Sequence, residues 1–235
     1  EYYCVTYWWF TINKSTAMKR LTEPELMEDE TQVLAYANAN FSVAHDHFIT
    51  LIKGQLVAER MPETVLELGC GPGDITQRFA HAFPHCVIDA VDGSQPMLDS
   101  AQNMLPQHLR QRINFYRLLL PATQFPKPRY HVVFSNSLLH HLHDPYTLWE
   151  SLKQVVCPEG RVFIMDLIRP HSISEAKQLV YDYASGEPEI LKNDFYKSLL
   201  AAFSISEIHQ QVQSVGLKLS VEQVTDRHVF ITGKI

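Results

Sequence analysis

Glu67-Leu68-Gly69-Cys70-Gly71-Pro72-Gly73-Asp74 closes the apolar run TVLEL (64–68) and precedes Ile75, Phe79, Ala82 and Phe83, apolar residues at helical spacing. A short apolar run ending in glycines predicts a buried parallel strand, and the recurrence after it predicts a helix. Glycine tolerates positive φ and lets a ligand approach the main chain. Between strand and helix, at the carboxyl edge of a parallel sheet, such a turn frames a nucleotide crevice. The order here is GxGxG. A dinucleotide fingerprint, GxGxxG, would need its last glycine at position 74, where Asp74 would repel a pyrophosphate. No Gly-Lys-Ser/Thr follows, so a P-loop is excluded.

Outward from the turn, strand and helix alternate. CVIDAV (86–91), INFYRL (113–118), HVVFSN (131–136) and RVFIMDLI (161–168) read as further strands. Helices are expected through Met97, Leu98 and Met104, and from Tyr146 to Val156, the latter entered through an Asp144 cap and Pro145. Such alternation with short joins predicts a doubly wound, mostly parallel sheet covered on both faces. Upstream, residues 28–61 read as helical in two pieces ending at Pro62. Downstream, residues 172–214 read as a helical insertion, a lid, before LKLSVEQV (217–224) and HVFITGKI (228–235), an antiparallel pair at the sheet edge.

Residues 18–235 are therefore read as one α/β domain with a helical cap at 28–61. EYYCVTYWWFTI lacks the basic region and cleavage site of a signal peptide, and the chain opens on Glu1 rather than Met. Residues 1–17 are expected to be an extension ahead of the native start at Met18. The formal charge of −6 argues against a broad phosphate-tracking surface. Cys4, Cys70, Cys86 and Cys157 form no CxxC pair and fit no zinc spacing, which points to the reducing cytoplasm. No apolar run approaches the roughly 20 residues of a membrane span.

ELGCGPG resembles the first motif of the class I S-adenosylmethionine-dependent methyltransferases, E/D-x-G-x-G-x-G. VDGSQPML (91–98), SNSLLHHLHDP (135–145) and CPEGRVFIMD (157–166) resemble later motifs of that family, in the same order. The resemblance implies the Rossmann-like fold with a seven-stranded sheet and S-adenosylmethionine as cofactor. It implies that Gly69, Cys70, Gly71 and Gly73 close around the methionine and ribose portions, and that Glu67 holds the amino group. Asp92, with Gly93, would take the ribose hydroxyls, in keeping with an acid about twenty residues past the glycines. Asn136 would line the site, and Tyr36 would cover the cofactor. The alternative is that Asp92 only caps the next helix. One departure is Leu119, which stands where the family carries an acid or amide toward adenine. A backbone carbonyl, Gln124 or packing would have to substitute.

His140 is a candidate general base, since histidine titrates near neutrality; packing of the LHHL stretch is the competing reading. A metal site from His140, His141 and His143 is not expected, because neighbours in extended chain face opposite ways. The acceptor is expected between the cap and the insertion, with Tyr36, Phe41 and His45 of the first and Tyr181, Tyr183, Phe195 and Tyr196 of the second as candidate contacts. The implied activity is methyl transfer to a small-molecule acceptor without a metal. A methyltransferase of RNA or protein, and a non-catalytic cofactor binder, stay open as alternatives. Oligomeric state is not legible.

Overall fold

The structure, a computed structural model, describes residues 18–56 and 63–235. The expected extension over residues 1–17, Cys4, and the end of the helical cap with Pro62 lie outside the described residues. The first elements are α1 (Glu30–Asn38), α2 (Ser42–Leu56), β1 (Thr64–Leu68), α3 (Asp74–Ala82), β2 (Val87–Asp92), α4 (Gln95–Met104) and β3 (Ile113–Arg117). They are followed by β4 (Tyr130–Asn136), α5 (Tyr146–Val155) and β5 (Val156–Leu167). Last come α6 (Ile173–Ala184), α7 (Glu189–Ala201), α8 (Ile205–Ser214), β6 (Ser220–Gln223) and β7 (His228–Lys234). No described helix is long and apolar enough to cross a membrane.

The sheet has seven strands in the order β3-β2-β1-β4-β5-β7-β6. β1 to β5 pair in parallel, and β7 runs antiparallel to both β5 and β6. This is the doubly wound, mostly parallel sheet that the alternation predicted, with the strand order reversing between β1 and β4. Side chains alternate across a strand, so β1 sends Val65 and Glu67 to one face and Leu66 and Leu68 to the other. On the first face Phe79 of α3 stacks on Phe134 at 4.6 Å, with Phe48 of α2 edge-on at 6.3 Å. On the second, Trp149 and Leu152 of α5 and Ile208 and Val212 of α8 cover Leu66, Val133 and Ile164.

Two boundaries differ from the sequence reading. The residues expected as one insertion over 172–214 divide by role: α6 and α7 share a small core of their own around Leu167, Ala176, Leu179 and Leu199, whereas α8 lies on the main sheet. Ile208 and Val212 are spaced four apart, so both face the sheet and bind α8 to it. Pro145, in helical geometry and without a side-chain cap, stands at the cap of α5 where Asp144 was expected, and Asp144 instead accepts the Tyr146 N–H at 3.0 Å from one residue upstream.

Residues 18–29, for which the sequence offers no periodicity, run as a strap across the tops of the strands. Arg20 holds it down. Its Nε donates to the Ala201 carbonyl at 2.5 Å, and its Nη2 donates to the carbonyls of His140 and Leu142 at 2.9 and 2.8 Å. Farther along, Ser94 Oγ donates to the Met27 carbonyl at 2.6 Å.

Phe134 is fully buried between α2, α3 and the sheet. Phe134→Ala is expected to cost about 3–5 kcal/mol, the usual range for an aromatic removed from a packed core. Urea denaturation of the two proteins measures it, and a loss under 1 kcal/mol would contradict this account of the face.

Candidate active site

The glycine turn is pinned before any ligand is considered. Gly69 and Cys70 donate their N–H groups to the Val91 carbonyl at 2.9 and 3.0 Å, tying the loop to β2. Asp92 completes the tie: Oδ2 accepts the Gly71 N–H and Oδ1 accepts the Ser94 N–H, each at 2.8 Å. Burial pushes the Asp92 carboxyl up, against the pull of these amides. The cap of α4 is Ser94, whose Oγ accepts from Met97 N–H at 3.3 Å. Asp92 is therefore not that helix's cap, and its carboxylate remains at the cleft wall.

Gly69 and Gly71 take φ of 72° and 51°, which an L side chain rarely adopts. A Cβ on Gly69 would stand 3.0 Å from Leu138, while one on Gly71 would meet nothing within 4 Å, because it faces the open cleft. Gly73 differs from expectation. It does not line the cleft; a Cβ there would press on Ala101 and Phe115 at 3.2 Å, so its place is in helix–sheet packing.

The cleft beside the loop has a volume of about 200 Å³. Glu67, Gly69, Cys70 and Gly71 line it, together with Asp92, Gly93, Leu119, Asn136 and Tyr36. Glu67 is 1 % exposed and accepts a short hydrogen bond from Thr76 Oγ1. Burial holds its carboxyl well above the usual carboxylate range despite that bond. Leu119 is 57 % exposed, and with Leu26 it flanks Gly93, so this part of the cleft is an apolar slot. Gln124 does not line the cleft. Burial drives the Tyr36 hydroxyl up to about 12, and its ring sits 4.9 Å from that of Phe41.

A second chamber of about 540 Å³ adjoins the cleft. Tyr36, His45, Asn136 and Ser137 line both, so they form the wall between them. The Asn136 Nδ2 donates to Ser137 Oγ at 3.0 Å, leaving its Oδ1 buried with no hydrogen-bond partner. His45 is anchored by Asp74, Nδ1 to Oδ2 at 2.6 Å, and Arg78 Nε donates to the same oxygen at 2.7 Å. Burial would raise Asp74, but its bonds to His45 and Arg78 outweigh this and hold it near 2.

Of the acceptor contacts expected in α6 and α7, Phe195 lines this chamber. Tyr181 does not, and is 70 % exposed. Tyr196 does not either, and packs on the α6–α7 core. Tyr183, also expected there, does line the chamber, with the Arg227 guanidinium 3.3 Å from its ring centre and Asp226 accepting its hydroxyl at 2.6 Å.

His140, which lines the chamber, is buried, its Nδ1 2.6 Å from Asp166 Oδ1. Asp166 Oδ2 also accepts the Leu139 N–H, and Oδ1 the Leu167 N–H, at 2.8 Å each, which fixes the carboxylate. Burial opposes charge on His140, but Asp166 and Glu23 outweigh it and raise its pKa. That favours the imidazolium, which must lose its proton before it can act as a base. The neighbouring His141 is lowered to about 3 by burial and by His140. His140, His141 and His143 do not converge, since His143 turns out to the strap, where its N–H donates to Glu25 Oε1 at 2.7 Å. The residue that meets His140 and His141 is Glu23, which the sequence reading missed.

Residues 66–162 match the family model described as a methyltransferase domain. The malonyl-[acyl-carrier protein] O-methyltransferase of Halalkalibacterium halodurans is 26 % identical over 178 residues, covering 71 % of this chain and 64 % of that protein. The trans-aconitate 2-methyltransferase of Escherichia fergusonii is 32 % identical over 100 residues, 42 % of this chain and 36 % of that one. The chain thus spans under two thirds of either relative. Among solved structures, the plantazolicin methyltransferase BpumL, in complex with a triazolic desmethylPZN analog and SAH, superposes with a TM-score of 0.67 at 14 % identity. That alignment covers 87 % of this chain and 90 % of the other.

A carboxyl raised on folding costs stability with a defined pH dependence. Above the ordinary value of 4.5 the unfolded chain ionises while folded Glu67 keeps its proton, so the penalty grows as pH rises from there. Glu67→Gln is expected to raise the urea midpoint at pH 7, with the gain vanishing below pH 4.5. A lower midpoint at both pH values would show that the carboxyl is structural.

Proposed function

We propose that this chain, which belongs to the class I S-adenosylmethionine-dependent methyltransferases by its motifs and fold, binds S-adenosylmethionine in the smaller cleft and methylates a small molecule held in the larger chamber. The observation that carries this reading is the Asp92–Gly71 tie, which sets a bare glycine main chain against a carboxylate at a cleft that shares a wall with a second cavity.

The donor set fits the cofactor. The cleft offers acceptors, from Glu67, Asp92 and the unpartnered Asn136 Oδ1, to an ammonium and to ribose hydroxyls. An apolar slot between Leu26 and Leu119 suits a purine held by packing, and no acid or amide is needed at position 119. Bound there, the cofactor supplies a methyl group already activated on a sulfonium. The chain's own task is then alignment and exclusion of water, and positioning of this kind supplies on the order of 7–11 kcal/mol. Tyr36, Phe41 and Asn136 close the shared wall, and the strap residues Leu26 and Met27 line both chambers. We assign His45 and Phe195 to the acceptor side.

A small acceptor is supported by the chamber of about 540 Å³, within the usual range of small-molecule sites. Relatives named for malonyl-[acyl-carrier protein] and trans-aconitate support it too. The net charge of −6 weighs against nucleic acid. Cys70, Cys86 and Cys157 are unpaired thiols, in keeping with a cytoplasmic setting.

Loss of charge-assisted hydrogen bonds at a carboxylate costs about 1.5–3 kcal/mol each. Asp92→Ala is accordingly expected to weaken S-adenosylmethionine binding by roughly 100-fold or more in calorimetry. Unchanged affinity would remove the assignment. Incubation of the parent protein with labelled cofactor and fractionated extract is expected to yield S-adenosylhomocysteine and one labelled small product. Binding without turnover would leave a non-catalytic binder, and label in RNA or protein would overturn the acceptor class.

A further inference from the structure

Glu23, His140 and His141 form a cluster that positioning of cofactor and acceptor does not require. We propose that Glu23 Oε1, His140 Nε2 and His141 Nδ1 form a mononuclear site for a divalent transition metal of the zinc class, with its open position toward the acceptor chamber. Only the naming of that chamber rests on the function proposed above; the ligand set does not.

The geometry carries the proposal. One ligand atom from each residue lies within 4.8 Å of the others. Glu23 Oε1 is 3.7 Å from His140 Nε2 and 3.4 Å from His141 Nδ1. Ligands about 2.0–2.2 Å from a tetrahedral zinc stand roughly 3.3–3.5 Å apart, so small side-chain shifts suffice. The Glu23 side chain is 8 % exposed, yet its Oε1 has no hydrogen-bond partner. Neither imidazole is hydrogen-bonded to it, and a divalent cation set among the three would satisfy this oxygen together with both ring nitrogens.

The surroundings orient the donors as a metal site requires. Asp166 takes His140 Nδ1 at 2.6 Å, which leaves Nε2 as the free ligand atom. This carboxylate–histidine pairing is the usual outer support of a metal-bound imidazole. Ser198 Oγ donates to Glu23 Oε2 at 3.3 Å and leaves Oε1 turned inward. The contact of His141 Nδ1 with the Pro24 carbonyl, 3.4 Å, is at the long limit for a hydrogen bond. Two imidazoles and one carboxylate suit zinc, cobalt, nickel or ferrous iron, and not magnesium or calcium, which take oxygen ligands. All three residues line the larger chamber, so water or a donor atom of the acceptor can complete the coordination.

The test uses the whole chain, freed of metal by chelation, with Zn²⁺ titrated by calorimetry and Co²⁺ by visible absorption. One ion per chain with a micromolar or tighter Kd, and the intense bands of tetrahedral cobalt, are expected. Glu23→Gln and His141→Ala are expected to weaken zinc by at least ~100-fold, and Asp166→Asn by about 10–100-fold, the usual cost of an outer-shell change. His81 and His108 form a surface pair with ring centres 5.4 Å apart, so His81→Ala controls for adventitious binding and is expected to change nothing. Equal zinc affinity in the parent and Glu23→Gln, or loss of binding in His81→Ala, would overturn the site. If circular dichroism shows Glu23→Gln unfolded, the partly exposed His141→Ala decides. A parallel S-adenosylmethionine titration of the metal-free protein separates the two readings: cofactor binding without zinc binding sinks this site alone, and zinc binding without cofactor binding sinks the methyltransferase reading alone.

Discussion

The Asp92 carboxylate holds two backbone amides at once, Gly71 through one oxygen and Ser94 through the other. Those bonds join the loop after β1 to the start of α4, across the end of β2. The Val91 carbonyl adds Gly69 and Cys70 from the same strand. A loop of three glycines would otherwise be the most pliable part of the chain, since glycine surrenders the most backbone entropy on folding. Here its conformation is dictated by the neighbouring strand's end. Parallel pairing of β1 with β2, Leu68 opposite Val91, puts these groups within reach.

Buried carboxylates show which side chains the fold completes and which it leaves open. Asp89 is fully buried and is met on all sides by Lys127, the Tyr130 hydroxyl at 3.0 Å and the Asn114 amide at 3.0 Å. That is a closed structural network. Glu67 is equally buried but has Thr76 alone on one oxygen, and Glu23 has Ser198 on one oxygen and nothing on the other. An unfilled buried acceptor costs on the order of 1–3 kcal/mol, so folding is opposed at Glu23 Oε1. Both carboxyls face cavities rather than core packing.

The parallel sheet was legible in the sequence because strands buried on both faces must be nearly continuous apolar runs, and TVLEL and RVFIMDLI are such runs. The glycine turn was legible because positive φ at positions 69 and 71 restricts the residue type. What escaped detection is long-range. Glu23 meets His140 from more than a hundred positions away, and no local pattern marks the strap that carries it. Gly73 was grouped with its neighbours because the motif spacing does not distinguish a glycine facing ligand from one facing Ala101. Tyr181 and Tyr183 stand two apart on α6, too far round a helix to share one face, and the sequence alone does not orient that helix. On α6, Tyr183 borders the chamber against Arg227 and Asp226 while still 48 % exposed, and Tyr181 lies in solvent.

The strap makes the two chambers one mechanical unit. Its Leu26 and Met27 line both, its Glu23 reaches the histidines, and its Arg20 grips the carbonyls of His140 and Leu142. At one end the Leu21 N–H donates to the Leu200 carbonyl at 2.9 Å, which ties the strap to the end of α7; at the other the Met27 carbonyl takes Ser94, the cap of α4. Ser94 also donates its N–H to Asp92. Hydrogen bonds thus lead from the glycine loop through Asp92 and Ser94 to Met27, and the covalent strap carries the connection on to Arg20 and the His140 and Leu142 carbonyls. Contacts made by this one segment therefore shape both chambers at once.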